Sequence, residues 1–216
     1  LVEAVPYKNP KNYVRYSETI SKKIKNKHGV FWANQFDNIS NKKSHYLTTA
    51  PEIWKQMSGN IDAFICSVGT GGTLCGVSNF LKEKKKEIKI GLADPLGSAM
   101  YSFYKNGRLT SKGTSITEGI GQGRITKNLE NVEIDESFQI TDTEALNMVF
   151  KMISEEGLIL GGSSGINIVG AIKLGKILGP GKNIVTILCD YGTKYQSKIF
   201  NKKFLKEKKL PIPKWL

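Results

Sequence analysis

Arginine is nearly missing from this 216-residue chain. Arg15, Arg108 and Arg124 are the three present, and lysine supplies almost all of a formal net charge of +13. Such a charge would ordinarily raise nucleic acid or an anionic membrane as a partner. The lysines, however, stand singly or in short runs such as Lys82-Glu83-Lys84-Lys85-Lys86 and the stretch from Lys202 to Lys209, with no interleaved aromatics on which bases could stack. They read as solvated faces, and nucleic acid is not an expected partner. No apolar run approaches the ~20 residues that span a bilayer, and no signal peptide is visible. No membrane is expected, and the location expected is cytoplasmic. Cysteine is limited to Cys66, Cys75 and Cys189, without metal-ligand spacing and with two in or beside apolar runs, which reads as reduced core residues. The two histidines, His28 and His45, share no obvious face, so no metal site is expected. An initiator methionine is lacking too. The opening from Leu1 to Tyr7 reads as the end of a strand already under way, and a chain without its natural start is expected.

Glycine, in contrast, is plentiful, and one glycine-rich stretch organises the rest: Ser67-Val68-Gly69-Thr70-Gly71-Gly72-Thr73-Leu74-Cys75-Gly76. It follows an apolar run from Ile61 to Val68 that reads as a buried strand. It precedes a helix from Val77 to Lys85 with Phe80 and Leu81 on its apolar face. Glycines at a strand-to-helix corner let the backbone approach a ligand closely with its amides free, and Thr70 and Thr73 add hydroxyls. A phosphate cradle is one reading and a glycine-rich connector is the other. It is not a dinucleotide fingerprint, since the sixth place from Gly69 is Leu74. Nor is it a P-loop, since no lysine appears until Lys82.

Along the chain, Tyr13, Val14, Ser17, Ile20 and Ile24 recur at helical spacing opposite a basic face and predict an amphipathic helix from Pro10 to Lys27, with proline in its first turn. Val30 to Phe36 predicts a short strand ending at Gln35-Phe36-Asp37-Asn38. Ser44 to Met57 predicts a helix that faces Ile53, Trp54 and Met57 to a core, ended by Ser58-Gly59-Asn60. Ile88 to Ala93 predicts a strand, Ala99 to Tyr104 a helix, and 106–117 a loop leading to Glu118-Gly119-Ile120-Gly121. Phe138 to Ile140 predicts a strand. Thr141 caps a helix from Asp142 to Glu156 with Leu146, Val149, Phe150 and Ile153 as its stripe. Gly161-Gly162-Ser163-Ser164-Gly165 precedes a helix from Ile166 to Leu178. A strand from Asn183 to Leu188 stops at Cys189-Asp190-Tyr191-Gly192-Thr193, and the tail is basic and proline-punctuated.

Strands and helices therefore alternate, the pattern of a mostly parallel sheet with helices on both faces, in three layers. Four polar or glycine-rich segments lie just past predicted strands: 35–38, 69–73, 161–165 and 190–193. In open parallel sheets the carboxyl ends of strands line the ligand crevice. Each segment alone reads as a connector as readily as a ligand loop, and four on one edge favour a cofactor site.

Together, Gln35-Phe36-Asp37-Asn38, Thr48-Thr49-Ala50-Pro51-Glu52-Ile53-Trp54, Gly69-Thr70-Gly71-Gly72-Thr73, Glu118-Gly119-Ile120-Gly121 and Gly161-Gly162-Ser163-Ser164-Gly165 resemble the cysteine synthase (O-acetylserine sulfhydrylase) group of pyridoxal-phosphate enzymes, over essentially the whole chain and in the family's motif order. The resemblance implies a tryptophan-synthase-β-like (type II) fold, with 1–36 as the remnant of a smaller mobile domain and 37–216 as the large cofactor domain lacking its first part. It implies pyridoxal 5′-phosphate as cofactor, with Gly69, Thr70, Gly71, Gly72 and Thr73 on its phosphate and Ser163 at its pyridine nitrogen. Gln35 would lie near the cofactor's phenolic oxygen and the substrate carboxylate, Gly119 beside the substrate amino group, and Asp190 toward the pyridine end. A neutral serine cannot hold the ring nitrogen protonated as an aspartate would, which suits β-elimination and replacement. Alternatively, Ser163 is a helix N-cap.

The implied reaction is β-replacement of acetate in O-acetyl-L-serine by sulfide, giving L-cysteine, in a homodimer that could also dock a serine acetyltransferase tail. Cystathionine β-synthase-like chemistry is the alternative within the fold, and a non-catalytic binding subunit the alternative outside catalysis. Three departures stand out. The family's Ser-x-Lys-Asp-Arg motif with its Schiff-base lysine and its Thr-Ser-Gly-Asn-Thr type loop have no match, and both are expected upstream of Leu1. Ala50 also stands where the family carries glycine. A chain so divided is expected to expose core surface and to dissolve poorly by itself.

Overall fold

The computed structural model describes residues 2–3, 5, 7, 9–24 and 29–216. His28, residues 25–27 of the first expected helix and part of the expected strand end over 1–7 lie outside them. Helix α1 spans Tyr13–Lys23. Asn12 caps it, its side chain accepting from the Val14 amide at 3.1 Å, so Pro10 stands before the helix rather than in its first turn. Val14 is buried, while Tyr13 and Ile24 of the expected apolar stripe stay exposed.

The strand expected at 30–36 does not form. These residues reach a turn at 35–37 without joining the sheet, and a strand needs a neighbour to satisfy its backbone groups. The single helix expected from Ser44 to Met57 is two, α2 (Ser40–Leu47) and α3 (Thr49–Gln56), broken at Thr48 with φ −124° and ψ −69°. Pro51 explains the break. It has no N–H for the Leu47 carbonyl and its ring would collide with that group, so it is tolerated only in a first turn. Ile53, Trp54 and Met57 pack on the core as expected, and positive φ at Ser58 and Gly59 turns the chain out of α3.

Four parallel strands form the sheet: β1 (Ala63–Cys66), β2 (Lys89–Pro95), β3 (Glu136–Ile140) and β4 (Ile184–Thr186), in the order β3-β2-β1-β4. Every residue of β1 is buried. Alternation sends Phe64 and Cys66 to one face, where they meet Leu74, Val77 and Leu81 of α4 (Gly72–Lys84) and Met100 of α5 (Met100–Asn106). Ala63 and Ile65 go to the other, against Ile166, Val169 and Leu174 of α7 (Gly162–Leu178). Helix α7 lies so close to the sheet that a β carbon at Gly170 would stand 2.6 Å from the Ala93 Cβ. Behind α7, α6 (Asp142–Glu156) begins in the expected cap, a full capping box between Thr141 and Glu144. The basic tail contains an unanticipated short helix, α8 (Lys202–Glu207), whose Leu205 is buried against Leu146, Val149 and Phe150 of α6. The layers are thus helices, sheet and helices, as the alternation of elements predicts.

The chain moves from β1 outward to β2 and β3, then returns through α6 and α7 to the other side of β1 as β4. Between β1 and β4 the connections therefore diverge to opposite faces, which makes this the place where a crevice opens at the carboxyl ends of parallel strands.

At the end of β2, Asp94 is fully buried. One oxygen accepts from the Tyr101 amide at 2.8 Å and the other has no partner. Burial pushes its carboxyl up to about 6, against hydrogen bonds from Tyr101, Ser98 and Met100 that favour the charge. The folded state thus holds a proton that the unfolded state releases between about pH 4 and 6, so this group's penalty is absent below that window and complete above it. Asp94→Asn should stabilise the protein more at pH 7.5 than at pH 4.5, where about a third of the penalty is already present, by about 2 kcal/mol from a shift of about two units, in urea melts at the two pH values. A pH-independent difference between variant and wild type would contradict this.

Candidate functional site

The glycine-rich stretch 67–76 turns directly into α4, five residues earlier than the apolar pattern predicts. Gly71 is the N-cap, with φ +90°, and a β carbon there would stand 2.4 Å from Leu129 Cγ. Both the backbone angle and the space require glycine. The first intrahelical bond runs from Cys75 N to Gly71 O at 3.0 Å. The amides of Gly71, Gly72, Thr73 and Leu74 therefore have no carbonyl within the helix, and Gly72 N reaches only Thr70 Oγ1, at 3.3 Å. A cluster of amides at the positive end of a helix is an anion site in waiting.

The two threonine hydroxyls are held from behind. Thr70 Oγ1 accepts from Asn41 Nδ2 at 2.9 Å, and the same amide nitrogen donates to Gln35 O at 2.8 Å. Thr126 Oγ1 donates to Thr70 O at 2.7 Å. Thr73 Oγ1 lies 3.2 Å from His45 Nε2, whose Nδ1 is 2.9 Å from Thr49 Oγ1. Partial burial lowers the His45 pKa, which keeps the ring neutral near pH 7. With its oxygen occupied as an acceptor from Asn41, Thr70 retains its own proton for a ligand in the cavity.

That cavity, about 540 Å³, lies at the carboxyl ends of β1 and β4 and is lined by Thr70, Thr73, Gly119, Ser163, Asn167 and Asp190 among others. Its size suits a small-molecule site. The 118–121 loop lies against the glycine turn: Gly121 N donates to Val68 O at 2.9 Å, and a β carbon at Gly69 would meet Gly119 O at 2.4 Å. Ser163 is buried in the first turn of α7. Gly161, not Ser163, is the N-cap of that helix, so capping does not explain the serine. Cys189 lines the cavity in the open rather than sitting in the core, unlike buried Cys66 and Cys75. The Asp190 carboxylate accepts from Tyr195 OH at 2.8 Å, while its other oxygen is buried without a partner. Burial, with that bond to Asp190 second, pushes the Tyr195 phenol up to about 12. Glu118 is tied to Lys198 at the rim.

The structure thus brings Gly69, Thr70, Thr73, Gly119, Ser163 and Asp190 around one cavity, with Gly71 and Gly72 forming the turn beneath. Gln35 does not join its lining: its side chain is exposed, and its carbonyl is held by Asn41 and by Asn128 at 2.9 Å. The neighbouring Asp37 forms a two-pronged pair with Arg124, at 2.9 and 2.7 Å, and that bond keeps its carboxyl below the usual range. Sequence reasoning missed Asn41, Asn128, His45 and Asn167. Asn167 alone left a signal, as a polar residue within the apolar run Ile166, Ile168, Val169. Among the described residues no cluster of three or more metal-ligating side chains forms, and no helix is long and apolar enough to cross a membrane.

A family model described as pyridoxal-phosphate dependent enzyme matches residues 2–190. Cysteine synthase 1 of Neurospora crassa is 44% identical over 97% of this chain and 56% of its own length, and cysteine synthase 1 of Emericella nidulans is 44% identical over 100% and 59%. The chain therefore spans little more than half the length of these relatives. Among solved structures, the O-acetylserine dependent cystathionine beta-synthase from Helicobacter pylori is similar with a TM-score of 0.78 and 32% identity, covering 86% of this chain and 57% of that one.

Thr73→Val preserves shape and removes one hydroxyl from the cradle. It should weaken inorganic phosphate binding by about fivefold to tenfold, the worth of one hydrogen bond of roughly 1 kcal/mol or slightly more, with the melting temperature little changed. Calorimetric titration with phosphate checks this, and unaltered affinity would remove Thr73 from the anion site.

Proposed function

We propose that this chain, which belongs to the pyridoxal-phosphate dependent enzyme family, serves a β-replacement that forms L-cysteine from O-acetyl-L-serine and sulfide. The supporting observation is the cavity itself, with an amide-and-hydroxyl cradle for a phosphate at one wall and a buried, neutral Ser163 at another. Its residues fit the family's cofactor. The amides of the first α4 turn with Thr70 and Thr73 would hold its phosphate, and the absence of a β carbon at Gly71 and Gly72 lets that turn pack against Leu129 and Asn41. When bound, pyridoxal phosphate supplies the electron sink for breaking bonds beside an amino acid's α carbon.

The protein's own groups do the rest by binding and orientation. Ser163 offers the ring nitrogen a hydrogen bond without a charge, which leaves departure of a β substituent as the favoured outlet for electrons. In this reading the Gly119 backbone, which lines the cavity, meets the substrate amino group, and Gln35 meets its carboxylate once the 35–37 turn adjusts. Lys194 lies on the cavity wall in a Gly-Thr-Lys context, 3.6 Å from Asp190, and the reading assigns the Schiff-base lysine elsewhere in the natural polypeptide. Residues 1–36 are assigned to a smaller domain and 37–216 to the cofactor domain, an assignment that the exposed Tyr13 and Ile24 of α1 favour. The reading carries with it a cytoplasmic homodimer whose cleft could take a serine acetyltransferase tail.

The likeness to a cystathionine beta-synthase that is O-acetylserine dependent supports a second reading, in which homocysteine replaces sulfide. Both are tested with the full natural polypeptide. O-acetyl-L-serine and sulfide should yield L-cysteine faster than O-acetyl-L-serine and homocysteine yield cystathionine. The opposite order would transfer the assignment to the second reading, and no product from either would reject both.

A further inference from the structure

The ladder between β1 and β4 ends at Ile65 and Thr186. Past that point the two chains separate around the cavity, and their backbone groups lose each other as partners. Asn167 stands in the gap. It is fully buried in the second turn of α7, its Oδ1 accepting from Ser67 N at 2.7 Å and its Nδ2 donating to Ile187 O at 2.7 Å and to Cys189 Sγ at 3.3 Å. One side-chain amide thus takes the place of the missing ladder bonds and holds the two strand ends at a set separation.

Each end leads to a different part of the site. Ser67 starts the turn that becomes the anion cradle. Cys189 lines the cavity with Ser163, whose hydroxyl opposes the upward push of burial on the thiol, and the Cys189 amide donates to Ser164 Oγ at 2.9 Å. Ser163 itself lies four residues before Asn167, on the same face of α7.

We propose that Asn167 is a positioning residue that sets the distance between the phosphate cradle and Ser163, and so the fit of a ligand that must reach both. The inference rests on the cavity being the site for pyridoxal phosphate. The cradle does not depend on Asn167 for its own shape. Thr70 is held by Asn41 and Thr126, Val68 by Gly121, and the amides by α4. A ligand that uses only the cradle should therefore be indifferent to Asn167, and one that spans cradle and serine should not.

The test compares two probes on the full natural polypeptide: inorganic phosphate and pyridoxal phosphate. Asn167→Ala should bind phosphate within twofold of wild type. It should bind pyridoxal phosphate about tenfold more weakly and displace the absorption band of the bound cofactor. Where the alanine variant does not fold, Asn167→Ser, which is too short to span the gap, is read by the same two titrations. Equal loss for both probes would make Asn167 a support for the glycine turn alone and overturn the proposal, as would unchanged binding of both. Failure of both variants to fold would reduce Asn167 to a core residue and also overturn it. Wild-type protein that binds phosphate but not pyridoxal phosphate would instead reject the site reading, and this inference with it.

Discussion

The helix that leaves β1 and the helix that enters β4 pack on opposite faces of the sheet, and the pairing of these two parallel strands stops before their carboxyl ends. Beyond Ile65 and Thr186 the backbone must find other partners or remain open to a ligand, because a buried amide without one costs about as much as a lost hydrogen bond. The cavity is the outcome. Its walls are the two strand ends, the starts of the two helices that pack against them, and the 118–121 loop laid over the glycine turn.

Helix starts differ in how their first amides are met. Asn12, Thr141 and Asn201 cap α1, α6 and α8 with their side chains, which satisfies first-turn amides locally. Helices α2, α3 and α5 have no side-chain cap, and neither do α4 and α7, which begin at the cavity and follow glycine. At α4 the first-turn amides remain for whatever enters, while at α7 Gly161 N donates to Asp190 O and Ser164 N to Gly161 O. Local stability is thereby forgone where binding is needed, and the sheet and the two apolar faces of β1 compensate by fixing both helices along their length.

Polar side chains then set the details that the sheet cannot. Asn41 ties the 35–37 turn to Thr70, Asn128 holds the same turn from the other side, and Asp37 pairs with Arg124 of the loop that follows Gly123. His45 reaches Thr73 because α2 approaches α4 closely at Gly76, where a β carbon would lie 2.3 Å from Lys42 O. Each of these contacts links segments far apart in the chain.

Much of this was legible in the amino acids. Runs such as Phe64-Ile65-Cys66, the Thr141 to Glu144 box and the glycine corner at 69–72 carry their structure locally, through periodicity, capping and allowed backbone angles. They sufficed for the layered parallel fold, and the motif combination sufficed for the family. The two starts at Gly72 and Gly162 were obscured because glycine signals a turn by propensity, and tertiary packing overrode that preference. The split at Thr48 was present in Pro51 yet visible only once the helix was seen to begin at Ser40. Position 30–36 has strand character but no neighbour in the sheet, and pairing is a property of two segments. Which side chains meet across the cavity, with Asn167 bridging Ser67 and Cys189 while Gln35 stays outside the lining, was decided by the tertiary structure alone, since those distances depend on how α7 and the strand ends pack and not on any local pattern.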